Sequence, residues 1–137
     1  MKKLLNKKNN KGFSLVELIV VVSIMGIIAG ALAPQVMKWV GTARTNSDEN
    51  TSKDIKSAVQ VALADWQQTG TLPASGTDFT CTINGTSTTL AEDSNYAGLA
   101  AKITEVMGGD YPKPAKTGSG GFLVTVSGGS GKVTVTY

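Results

Sequence analysis

Lys11-Gly12-Phe13-Ser14-Leu15-Val16-Glu17-Leu18 opens a run that stays apolar as far as Pro34, and the reading of residues 13–34 decides the fold. Glu17 is the one charged side chain in that span. As a helix rising about 1.5 Å per residue it reaches roughly 33 Å, enough to cross a bilayer core. Lys2, Lys3, Lys7, Lys8 and Lys11 precede it with no acid among them. That asymmetry predicts a cytoplasmic N-terminus, with everything after Pro34 outside. A carboxylate within such a segment costs on the order of a few kcal/mol, which makes Glu17 a functional candidate.

Gly12-Phe13-Ser14-Leu15-Val16-Glu17 resembles the processing site of the type IV pilin family, which includes the pseudopilins of type II secretion. The resemblance implies a basic leader, residues 1–12, cut between Gly12 and Phe13 by a membrane-embedded prepilin peptidase. It also implies N-methylation of Phe13, and Glu17 as the carboxylate that guides assembly. Gly26 and Pro34 sit where many pilins carry helix-weakening residues. The expected partners are membrane lipid before assembly, the peptidase, an inner-membrane assembly platform and further copies of the chain in a helical filament. A single-pass precursor in the cytoplasmic membrane would then become part of an extracellular pilus.

Two plainer readings compete. Ala31-Leu32-Ala33 has the small-x-small form of a signal peptidase site, but Glu17 would stand at the start of the apolar stretch and Pro34 directly after the cut. An uncleaved anchor would leave Glu17 merely marking the membrane boundary.

The 137 residues are 41% hydrophobic, a figure that the apolar segment inflates. The formal charge of +3 misleads in the same way. Residues 1–12 hold five of the 13 basic side chains and none of the 10 acidic ones, so their removal leaves −2. No general basic character then points to nucleic acid. Histidine is absent, and with it the commonest general base and metal ligand, so an enzyme is not expected. No phosphate loop, nucleophile–base pair or zinc spacing occurs, and neither catalytic residue, cofactor nor metal is assigned. A single cysteine, Cys81, rules out an intramolecular disulfide, and its alternating strand context predicts a packed thiol.

Within the apolar run, Gly26 and Gly30 weaken a helix interior, and Pro34 removes the N–H that would bond the Gly30 carbonyl. We expect a helix that is continuous or bent over 26–34 in the single subunit and unwound there in a fibre. Val36, Val40 and Ala43 continue the helical spacing, and Lys38 and Trp39 are placed like interfacial anchors. Packing of Trp39 against neighbouring subunits or the head explains it equally well. The polar stretch 45–52 allows either one long helix or a break, and the resemblance favours the unbroken spine. Ile55, Ala58, Val59, Ala62, Leu63 and Trp66 then form an apolar face, with Gly70 and Pro73 as stop signals.

From Thr71 the composition turns to Gly, Thr and Ser. Phe79-Thr80-Cys81-Thr82-Ile83, the Asn84-Gly85 turn and residues 86–90 read as a β-hairpin. Ser94 is a candidate cap for a second helix carrying Leu99, Ile103 and Val106, with Gly108 ending it. Tyr111-Pro112-Lys113-Pro114 fits neither helix nor central strand. Residues 122–126 and 133–137 predict a second hairpin around 127–132. Fewer than 70 residues make a marginal core alone, so the sheet is expected to pack on the second half of the helix.

The expectation is therefore an α+β protein with a long N-terminal helix over 13–70. Its first part, 13–34, is the transmembrane and assembly segment, 35–70 is the amphipathic half, and 71–137 form a small antiparallel β head. Two functions fit: a structural pilus subunit polymerising through its apolar helix, or a minor pilin or pseudopilin whose head binds DNA, a surface or a secreted substrate. Glu92 and Asp93 offer only a weak Ca²⁺ site and a better acidic helix start. Lys113, Lys116 and Lys132 argue only weakly for an anionic polymer.

Overall fold

A computed structural model describes residues 12–85, 93–116, 118 and 120–137. The elements are a helix α1 (Leu15–Trp66), strand β1 (Phe79–Ile83), a 3₁₀ turn (Ser94–Tyr96), helix α2 (Leu99–Val106), and strands β2 (Phe122–Val126) and β3 (Val133–Thr136). Together they make an α+β chain with a three-stranded antiparallel sheet in the order β1-β2-β3. The chain divides into two units, Met1–Val40 and Gly41–Tyr137, and α1 contributes to both.

α1 runs 52 residues without interruption, through Pro34 and through the polar stretch 45–52. Hydroxyls in that stretch are satisfied within the helix: Thr45 and Thr51 donate to carbonyls one turn back, at 3.2 and 2.9 Å. Glu49 and Lys53 add an ion pair at 2.8 Å. In the second unit the helix buries Ile55, Val59, Ala62, Leu63 and Trp66.

The sheet alternates as its sequence does. Phe79, Cys81, Ile83, Phe122, Val124, Val126 and Val133 are buried and join the helix residues in one core. Thr80, Thr82, Leu123, Thr134 and Thr136 are exposed. The register sets Cys81 opposite Val124 and Val124 opposite Val135, which keeps one face apolar across all three strands. The expected hairpin around 127–132 is present as β2 and β3. For β1, the expected partner 86–90 lies outside the described residues; the pairing observed is with β2.

Tyr96 occupies the centre of the core. Its ring lies 5.7 Å from Trp66 and 5.6 Å from Phe79, and its hydroxyl donates to the Thr77 carbonyl at 2.8 Å. Trp66 Nε1 donates to the Ala97 carbonyl at 2.9 Å. Holding Tyr96 there corrects the expected helix start. Ser94 caps no α-helix; Asp93 caps the 3₁₀ turn, and α2 begins after Gly98, whose φ of 82° redirects the chain. Leu99, Ala100 and Ile103 are buried, whereas Val106, at the helix end, is exposed. Gly108 closes α2 as expected: its N–H bonds Glu105 and that of Gly109 bonds Thr104, a Schellman ending. Gly70 serves space rather than backbone freedom, because a Cβ there would lie 2.8 Å from the Trp66 indole.

Burial leaves Cys81 without a partner charge and pushes its thiol from an ordinary 9.0 up to about 11. The proton stays on in the folded protein, so stability is unaffected below pH 8 or so and falls as pH rises from about 9 towards 11. A thiol reagent at neutral pH is expected to label Cys81 only after denaturation. Rapid labelling of the native protein would contradict this.

Candidate functional site

The N-terminal segment is built by one helix and what that helix leaves uncovered. From Gly12 to Ser47 every residue is exposed, including Phe13 at 85% and Ile27 at 73%. α1 is the one helix among the described residues that is long and apolar enough to cross a membrane. Gly12, Phe13 and Ser14 precede the helix without regular structure, which leaves the Gly12–Phe13 junction accessible main chain. Glu17 stands in the first turn of α1, where its charge meets the positive end of the helix dipole. Gly26, Gly30 and Pro34 are all inside regular helix, and no atom beyond the local chain lies within 4 Å of a Cβ built at Gly26 or Gly30. The basic residues 2–11 are outside the described residues.

A second feature escaped the sequence reading. Asp48 is 1% exposed, the one buried charged side chain among the described residues. It accepts from the main-chain N–H of Ala115 and, at 3.0 Å, from that of Lys116. It thereby ties the proline-containing segment after α2 to the long helix. The signal was its spacing: Asp48 lies seven residues before Ile55, hence on the buried face that continues to Val59, Ala62 and Trp66.

The remaining candidates separate in space. Asp93 accepts from the Asn95 main chain at 2.8 Å and side chain at 3.0 Å, as an acidic helix start should; Glu92 lies outside the described residues. No cluster of metal-ligating side chains occurs among the described residues. Lys113, Lys116 and Lys132 do not form the basic surface considered from sequence. The Lys113 stem lies against Gly85, the Lys116 N–H is bound by Asp48, and Lys132 instead joins Lys53 and Lys56 around a groove.

Residues 7–33 match the family model described as the prokaryotic N-terminal methylation motif. A type IV major fimbrial protein, FimA of Dichelobacter nodosus, is 28% identical over 64 residues, 47% of this chain and 41% of that protein. A second FimA from the same organism is 29% identical over 80 residues, 51% of this chain and 50% of that protein. The chain spans about half the length of the relatives it matches. No solved structure matches it. A methylation motif at the head of a long apolar helix, a small antiparallel sheet and these fimbrial relatives together make the chain type IV pilin-like.

Proposed function

We propose that the chain is a structural subunit of a type IV pilus, made as a membrane-inserted precursor and polymerised through its apolar helix. The observation that carries this reading is that the apolar run 13–34 is exposed along its whole length. An apolar surface that continuous needs lipid before assembly and other copies of the chain after it. Prepilin peptidase cuts between Gly12 and Phe13, Phe13 is N-methylated, and the basic leader stays on the cytoplasmic side. An inner-membrane platform then moves the subunit outward, with the Glu17 carboxylate meeting the positive amine of Phe13 on a neighbouring copy. No catalytic role is assigned to the chain. Both relatives are major fimbrial proteins by description, which favours an abundant subunit over a minor pilin or a secretion pseudopilin. Electron microscopy and gel analysis of the sheared surface fraction test this. The chain should dominate the filaments, and filaments in which it is a trace component would reassign it as a minor subunit.

Residues 26–34 provide a second expected outcome. Gly26 and Gly30 each cost about 1 kcal/mol relative to alanine, and an interior proline about 3 kcal/mol. In lipid the backbone has no other partner, so the lone subunit keeps its helix. In a fibre, neighbouring subunits supply contacts and 26–34 is expected to unwind. A filament map with regular helix throughout 26–34 would contradict this. Gly30→Ala with Pro34→Ala should reduce filament extensibility while leaving cleavage after Gly12 unchanged.

A further inference from the structure

Between α1 and β3 runs a groove of about 320 Å³, lined by Ser52, Lys53 and Lys56 from the helix, by Val133, Thr134 and Val135 from the strand, and by Lys132 directly before it. Three lysines face a space with no acidic lining residue. Glu49 holds Lys53 at 2.8 Å from outside the lining, in a pair more than half exposed on both sides. Such a pair contributes little and exchanges readily for another carboxylate.

The other wall supplies direction. β3 is an edge of the sheet among the described residues. The Ser127 N–H donates to the Lys132 carbonyl at 2.9 Å, which sets the alternation of the antiparallel ladder. Thr134 and Thr136 therefore turn their main-chain groups to β2. Val133 and Val135 turn their N–H and C=O groups away from it, along the groove. The groove thus offers a strand edge beside a row of ammonium groups.

We infer that this groove takes an extended acidic segment of a partner protein, added to β3 as a fourth strand with its carboxylates on Lys53, Lys56 and Lys132. Strand addition uses the main chain for affinity and side-chain charge for selection. Lysines also guard sheet edges against self-pairing. Here the guarding and the selection are one property: a second β3 would bring its own Lys132 into the groove and be repelled, whereas an acidic strand is attracted. A nucleic acid fits less well, since no lining residue is aromatic and a strand edge offers bases nothing to stack on. The inference concerns the head alone and does not depend on cleavage or polymerisation.

The test uses the full chain in detergent micelles and a labelled peptide alternating glutamate and valine, read by fluorescence anisotropy. The peptide should bind, and Lys56→Glu with Lys132→Glu should weaken it at least about tenfold, because two attractions become repulsions. The same peptide N-methylated on alternate main-chain nitrogens should bind the unaltered protein at least about tenfold more weakly, since it cannot complete the ladder. That arm requires no variant to fold. Three results would overturn the inference: no binding of the glutamate peptide, equal binding by the double variant or by the N-methylated peptide, or tighter binding of oligothymidylate that the same double variant abolishes. The last would give the groove to a nucleic acid.

Discussion

Asp48→Ala is expected to destabilise the head by about 2–4 kcal/mol. Two main-chain N–H groups, of Ala115 and Lys116, donate to its carboxylate, and alanine leaves both without an acceptor. Bonds to a charged acceptor contribute about 1.5–3 kcal/mol each, and because Ala115 and Lys116 are themselves exposed, water takes up part of what their N–H groups lose. Asp48→Asn keeps one carbonyl acceptor and should cost about half as much. Urea denaturation of the full chain in micelles should show a lower midpoint with an unchanged slope. Amide exchange should rise first in 111–116, the segment that Asp48 ties to α1. A midpoint unchanged by Asp48→Ala would show that the segment is held by its side chains instead.

The second large effect concerns Glu17. Glu17→Ala should still insert in the membrane and be cleaved, since Gly12 and the basic leader are untouched. Assembly should nevertheless fall at least about tenfold, which corresponds to losing only about 1.4 kcal/mol at each subunit contact. A carboxylate in an apolar segment is costly until a cation joins it, and the amine that the proposed cut would create at Phe13 is the natural partner. Removing the acid strands that amine at the interface. Glu17→Gln separates charge from shape: with charge decisive, it should assemble as poorly as alanine. Normal filament yield from cells making only the alanine variant would show the carboxylate to be dispensable.

The long helix was legible because its signals are local: an apolar run of membrane length, then Ile55, Val59, Ala62, Leu63 and Trp66 at helical spacing. The β2–β3 hairpin was legible for the same reason, with Val and Thr alternating on either side of a Gly- and Ser-rich loop. What sequence did not convey depended on distant partners. Asp48 looked like one polar residue among several until Ala115 and Lys116, 67 and 68 residues away, were seen to donate to it. The pairing of β1 with β2 crosses 38 residues between Ile83 and Phe122 and has no turn signal of its own. Ser94 resembled a helix cap because capping is local chemistry, but burying Tyr96 between Trp66 and Phe79 decided where the chain turned. The lysines regrouped likewise: Lys132 meets Lys53 and Lys56 only because β3 lies beside α1.

Gly12→Val should leave the full precursor in the membrane, because a side chain then stands at the proposed peptidase junction. The most direct test of the proposed function is the intact mass of the protein purified from sheared surface material. The expected species is residues 13–137 with one added methyl group on Phe13. A chain beginning at Met1, a chain beginning at Pro34, or an unmethylated Phe13 would contradict it.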